Sequence, residues 1–323
     1  MFKKKLLLLF IASIVALLFS ELVVARVIGY PAYGVEYKAL YMPGSSKWIN
    51  IRKPHAKIFN VEGKTITSVN NLGLPGLDID TLDNPIVLLG SSFVEAFQYQ
   101  PEEIASSLFW KVLAESDSDR TVLNLGCSGH DPYNSWFRTL LFSDILQFNA
   151  EDIILILNSD NQAWFNRHAK PFTFVKPKHF GSKNTSPYMR IGTMARNTSS
   201  LVEILYKGLL KGEDEVDNPS HEHIIDEKIS ASAPDYSLSQ EMKDCFDAFA
   251  KEYDGFMVLS IAGDLQFNTA LSFYCDELDI PYLVNPLDNP RYMINGAGHL
   301  NKEGNVALAE ALMTLWKKEH KEL

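Results

Sequence analysis

The sequence predicts an α/β protein of three layers, with helices on both faces of a mostly parallel sheet. From residue 85 onward, short and continuous apolar runs recur, each followed by a stretch of helical periodicity. Strands that alternate with helices of this length require right-handed crossovers, and so parallel pairing. No segment repeats at a fixed period, which excludes a solenoid.

The elements follow in order. Residues 85–89 (Pro-Ile-Val-Leu-Leu) have the composition of a strand buried on both faces. A helix over 102–115, a strand over 121–125 and a helix over 133–147 come next. The third strand covers 153–157. After a long irregular stretch, the pattern resumes with a helix over 239–253 and a strand over 255–259. A helix over 265–278, a strand over 282–284 and a closing helix over 302–318 complete it. Ahead of this region, residues 29–80 carry scattered Gly, Pro, Tyr and Asn, as in Tyr30-Pro31-Ala32-Tyr33-Gly34, and read as turns and short strands.

The chain has 323 residues, 46% hydrophobic and 22% charged, which excludes both a disordered polyanion and an all-membrane protein. The formal charge of −10 argues against a nucleic-acid partner. Cys127, Cys245 and Cys275 are too few for a disulfide framework and lack the clustering of a zinc site, leaving a Cys245–Cys275 bridge open.

Lys3, Lys4 and Lys5 precede an apolar run over 6–19, interrupted by Ser20-Glu21 before Leu22-Val23-Val24-Ala25. A basic cluster followed by an apolar core is an export signal. Residues 1–28 are expected to be an uncleaved anchor, with Glu21 near the far interface, or a signal peptide cleaved after Ala25. Either places the remainder on the periplasmic or extracellular side, anchored to the inner membrane or secreted.

In parallel α/β sheets, ligands bind at the carboxyl ends of the strands. Gly90-Ser91-Ser92-Phe93-Val94-Glu95-Ala96 follows the first strand, Gly126-Cys127-Ser128-Gly129-His130 the second, and Asn158-Ser159-Asp160-Asn161 the third. Gly298-His299-Leu300-Asn301-Lys302-Glu303-Gly304 stands before the last helix. A serine, a close-approach glycine, an asparagine and a histidine are the parts of an acyl-transfer site: nucleophile, oxyanion donors and general base. Each has a plainer use. Ser92 suits a helix N-cap with Glu95 as its capping-box partner; Gly129 suits a turn; His299 suits the flank of the last helix. Asn161 suits a polar loop, and Cys127 is a small packing residue rather than a nucleophile. No cofactor or metal is expected, since the His221/His223 pair lacks further ligands.

These four segments resemble the blocks of the SGNH (GDSL-type) hydrolase family in its membrane-anchored bacterial form. The Gly90-Ser91-Ser92 block aligns its nucleophile with Ser92. Asn124-x-Gly126-x-x-Gly129 aligns the oxyanion-hole glycine with Gly129. His299-x-Asn301-x-x-Gly304 aligns the catalytic base with His299, and residues 71–76 look like an Asn-x-x-Gly-x-x-Gly lead-in. The resemblance implies a flavodoxin-like fold over 81–323 and a lid-like insertion over 162–236. In that insertion, aromatics such as Trp164, Phe172 and Phe180 interleave with Lys170, Lys176 and Lys178. Three departures stand out. Ser91 replaces the family's Asp before the nucleophile. Asp160-Asn161 reverses the third-block pair, leaving Asn161 or Asn158 as the side-chain oxyanion donor. Gly296 and Ala297 occupy the positions of the acid that precedes the histidine, and the nearest upstream acid is Asp288. The role of that acid would fall to a backbone carbonyl, Asn295 or an acid from elsewhere.

The resemblance implies a serine esterase acting on ester-linked acyl groups, acetyl above all, of extracytoplasmic glycans through an acyl-enzyme on Ser92. An O-acyltransferase sharing the same first half-reaction, and a non-catalytic glycan-binding or assembly protein of an envelope polysaccharide machinery, are the alternatives.

Overall fold

A computed structural model describes residues 2–23, 36–41, 48–52, 54–60, 62, 65–116, 119–158, 181–182, 199, 201, 238–294 and 298–320. Most of the lid-like stretch 162–236 and the expected site residue Asn161 lie outside the described residues. So do His221, His223, Asn295, Gly296 and Ala297.

The central sheet has five strands: β5 (Ile86–Leu89), β6 (Val122–Asn124), β7 (Asp152–Leu157), β9 (Gly255–Ser260) and β10 (Tyr282–Val284). They lie in the order β10-β9-β7-β5-β6, and every pairing is parallel. This is the flavodoxin-like order, in which the chain works outward from β5 in one direction and then reverses. Each predicted strand is present to within a residue or two at its ends. The predicted helix over 102–115 is split into a 3-10 turn (Pro101–Glu103) and α3 (Ala105–Glu115).

Side chains along the inner strands alternate between two apolar layers, as the pleat requires. Val87, Leu89, Ile153, Leu155 and Val258 face α4 (Pro132–Leu146), α5 (Gln240–Glu252) and α6 (Leu265–Glu277). Ile86, Leu88, Ile154, Ile156 and Met257 face α3 and α7 (Lys302–His320). Asn305, fully buried on α7, accepts the Ala105 N–H at 3.0 Å and ties the two helices of this second layer together. Cys245 and Cys275 are thiols in the first layer, so the bridge left open by the sequence is not formed.

The lead-in has the short strands expected of it. β1 (Glu36–Tyr41) pairs antiparallel with β2 (Trp48–Arg52) and with β8 (Gly181–Ser182). β3 (Lys57–Asn60) and β4 (Thr65–Ser68) form a hairpin. The hairpin is pinned to the main domain where Gln100 Nε2 donates to Thr65 Oγ1 (2.8 Å) and to the Ile66 carbonyl (3.0 Å). The lead-in motif starts one residue earlier than expected. Asn70 Oδ1 accepts the N–H groups of Leu72 (2.9 Å) and Leu74 (3.0 Å), and so closes the loop, while Asn71 bonds outward to Asp78 and Ile79.

The N-terminal helix α1 (Phe2–Leu22) has 21 residues, and its large apolar side chains, among them Phe10, Val15, Leu18 and Phe19, are exposed. Side chains are described at Lys5 and from Phe10 to Val23, and among the described residues no helix is long and apolar enough to cross a membrane. Glu21, which interrupts the apolar run, accepts the Ser199 hydroxyl (2.7 Å) and the Leu201 N–H (2.9 Å).

Burial in the first layer sets an alkaline limit on stability. It pushes the Cys275 thiol from 9.0 up to about 12 and raises Cys245 well above its ordinary range. Tyr133 moves from 10.0 up to about 12, through burial first and the Asp131 charge second. Between pH 9 and 12, the unfolded chain therefore holds fewer protons than the folded one, and stability falls as pH rises. Urea midpoints should drop steadily above about pH 9, and the drop should be shallower in Cys275→Ala; equal midpoints at pH 8 and 10.5 would refute this.

Candidate active site

The site forms where the strand order reverses. β5 is flanked by β6 on one side and by β7 on the other, so the connections leaving β5 and β7 part and open a crevice over their carboxyl ends. Ser92 opens the short helix α2 (Ser92–Glu95) directly after β5, and Asn158 follows β7. Ser92 is half-buried, and its hydroxyl makes no hydrogen bond with any described residue. The N-cap of α2 is Ser91, which makes no side-chain cap bond, so the capping-box use of Ser92 and Glu95 is not what the fold adopts.

Glu95 instead turns inward. Only 3% exposed, it takes both Arg52 Nη1 (3.1 Å) and Nη2 (3.0 Å) on Oε1. Its Oε2 accepts the Ser128 N–H at 2.9 Å and the Ser128 hydroxyl. Arg52 also lies 4.3 Å over the Phe97 ring. The carboxylate thus fixes the loop after β6 against α2. The two segments touch so closely that a Cβ on Gly126 would stand 2.7 Å from the Glu95 nitrogen and 2.7 Å from Val94 Cβ. Asn124 completes the joint: its amide donates to the Val94 carbonyl (2.7 Å) and the Ser106 hydroxyl (2.9 Å), and its oxygen accepts the Gly126 N–H (2.9 Å). Cys127 N–H bonds the Gly90 carbonyl (3.0 Å), and Gly129 takes a positive φ of 71° in the turn that follows.

Arg138 lies buried in α4, 1% exposed, against the Phe142 ring at 4.6 Å. Its Nε and Nη1 have no hydrogen-bond partner among the described residues. Burial lowers its pKa; Cys127 and Glu95 oppose that, and Arg52 adds to it.

His299 is placed by the loop that enters α7. Ile294 N–H donates to the His299 carbonyl (2.8 Å), and Asn301 N–H to the Tyr292 carbonyl (2.7 Å). Asn301 Oδ1 accepts the Gly304 N–H at 2.8 Å, so Asn301 caps α7 and leaves the His299 side chain free of that duty. The His299 ring stands 6.0 Å, centroid to centroid, from Phe93, the neighbour of Ser92. Ser92 and His299 thus lie on either side of Phe93, and no hydrogen bond joins them.

A carboxylate from the lead-in stands beside the His299 ring. His299 Nδ1 lies 2.6 Å from Glu62 Oε2, with the carboxylate off the N–H direction, so that the contact is an ion-pair approach rather than an aligned hydrogen bond. Asp288, the nearest acid upstream in sequence, accepts the Gly263 N–H at 2.7 Å beyond β9. A glutamate in a turn bears no local signal of this contact; only the docking of the hairpin reveals it. Among the described residues, no group of His, Cys, Asp and Glu could hold a metal ion.

No protein-family model matches the chain, and no curated protein matches it. Among solved structures, it is similar to the psychrotrophic esterase EstA from Pseudoalteromonas sp., at 12% identity over 73% of this chain and 98% of that one, with a TM-score of 0.42. A member of the lipolytic protein G-D-S-L family from Veillonella parvula matches at 9% identity over 75% and 100%, TM-score 0.37. A variant of Axe2, an acetyl-xylooligosaccharide esterase from Geobacillus, matches at 10% identity over 72% and 93%, TM-score 0.39. Likeness at this level carries no residue role, activity or substrate across to this chain.

Glu95→Ala should cost about 2–4 kcal/mol in urea unfolding, because it strands Arg52 and the Ser128 N–H. Combined with Arg52→Met, the loss should be well below the sum of the two single losses. Additive losses would show that the two side chains do not act as a pair.

Proposed function

We propose that this chain is a serine esterase that removes ester-linked acyl groups from extracytoplasmic glycans. The observation that carries the chemistry is a Ser92 hydroxyl at the switch point of the sheet, with no hydrogen bond among the described residues, next to Phe93, whose ring lies 6.0 Å from that of a histidine with a carboxylate at its Nδ1. Ser92 Oγ bonds to the acyl carbon as His299 Nε2 takes the hydroxyl proton. The bond from that carbon to the alcohol oxygen then breaks, and the alcohol leaves with the proton from Nε2. Water repeats the sequence on the acyl-enzyme and releases the acid. The backbone N–H groups of Ser92 and Gly129, with the Asn158 amide, are the donors for the tetrahedral oxyanion. Losing one such donor costs about 10²–10³ in rate.

The glycan substrate rests on the sequence resemblance and on the inferred location. Lys3, Lys4 and Lys5, followed by the apolar residues of α1 exposed around its circumference, support a membrane anchor that leaves the domain on the far side. A second reading, a glycan-binding or assembly protein without chemistry, is favoured by the absence of a hydrogen bond between Ser92 and His299. O-acyl transfer shares the first half-reaction and differs only in the acceptor.

A fluorophosphonate probe should label the full chain stoichiometrically at Ser92, as located by peptide mass spectrometry, and labelling should be lost in Ser92→Ala and His299→Ala. A folded protein that stays unlabelled would replace the esterase with the binding reading. Turnover that rises on adding glycan alcohols would identify the transferase. Separately, the full chain should fractionate with membranes and resist alkaline carbonate, whereas a chain lacking residues 1–25 should not; release of both alike would refute the anchor.

A further inference from the structure

The acid position ahead of His299 holds no carboxylate in the sequence, yet a base that works through Nε2 needs its proton on Nδ1 and something there to stabilise the imidazolium. We propose that Glu62 is the positioning carboxylate of this site, delivered by the β3–β4 hairpin of the lead-in rather than by the loop that carries the histidine. This rests on the esterase reading above and adds a residue that the aligned blocks do not contain.

Three observations support it. Glu62 Oε2 is 2.6 Å from His299 Nδ1, the ring atom that an orienting carboxylate must address. The same oxygen accepts Gln98 Nε2 at 3.2 Å, and Gln98, 7% exposed, is itself fixed beside α2. The hairpin that bears Glu62 is held at Thr65 and Ile66 by Gln100, two residues beyond Gln98, so a single segment of the main domain sets both the hairpin and its carboxylate. Acids nearer in sequence are committed elsewhere: Asp288 serves Gly263, and Glu303 pairs with Arg291 at 3.1 Å. Glu62 moves no proton in this scheme. Its charge at Nδ1 selects the tautomer that leaves Nε2 free for Ser92, and it faces the cation that forms when Nε2 takes the serine proton. The lead-in then becomes part of the active site, contributing Glu62 to the histidine and Arg52, through Glu95, to the loop that bears Gly129.

The test uses the full chain in detergent, with Glu62→Gln, Glu62→Asp and Glu62→Ala. Glutamine keeps the shape and the reach to Gln98 but removes the charge. Labelling of Ser92 by the fluorophosphonate should slow at least about a hundredfold in Glu62→Gln, with an unchanged melting midpoint, and should partly recover in Glu62→Asp. With ¹⁵N-labelled histidine, and His299→Asn to assign the signals, the ring nitrogens should report Nδ1 protonation in the parent and a shift towards the Nε2–H tautomer in Glu62→Gln. Equal labelling rates in parent and Glu62→Gln would overturn the proposal, and so would a tautomer that does not respond. If the parent itself fails to label, the esterase reading falls, and the tautomer measurement still decides whether Glu62 orients His299.

Discussion

A carboxylate with 3% of its surface in water needs partners on both oxygens, and the way Glu95 finds them organises this molecule. One oxygen is clamped by the guanidinium of Arg52, from the lead-in; the other is bonded by Ser128, from the loop after β6. Neither partner is near Glu95 in sequence. The ion pair therefore joins three separate segments at the carboxyl ends of the strands, where α/β sheets bind ligands. Breaking it would leave a charge buried without compensation and release the loop after β6.

The same logic extends to the histidine. Its loop is shaped by backbone bonds and by Asn301, but the atom that governs its tautomer looks across to the β3–β4 hairpin. The lead-in thus supplies a cation to one wall of the crevice and an anion to the other. A sheet of five parallel strands positions Ser92 and Asn158, because their places follow from strand order alone. It does not position Arg52 or Glu62, which require a second structural unit to dock. This division makes the segment before residue 80 a docked part of the domain, tied to it through Arg52 and Gln100.

The buried Arg138 belongs to the same electrostatic unit. It stacks on Phe142, and the charges of Glu95 and Arg52 act on it in opposite senses, Glu95 favouring its cation and Arg52 opposing it.

Much of this was legible in the sequence, and the reason is locality. A strand covered on both faces must be apolar throughout, so residues 86–89, 122–124 and 152–157 declare themselves without reference to any partner. Ser92, Gly129 and His299 stand out because turns after strands and caps before helices restrict residue type at fixed spacing. Where several local uses competed, the sequence could not choose: Ser92 and Glu95 fit a capping box, yet Glu95 turned to Arg52. Glu62 was invisible, because an exposed glutamate in a turn has no periodicity, and its partner lies at the other end of the chain. The sequence by itself determined the layers and the strand ends, and it set Ser92 after a strand and His299 ahead of a helix, all consequences of short-range burial and turn chemistry. Only the tertiary structure decided which charges meet across the crevice, because ion pairs between distant segments depend on how whole units dock.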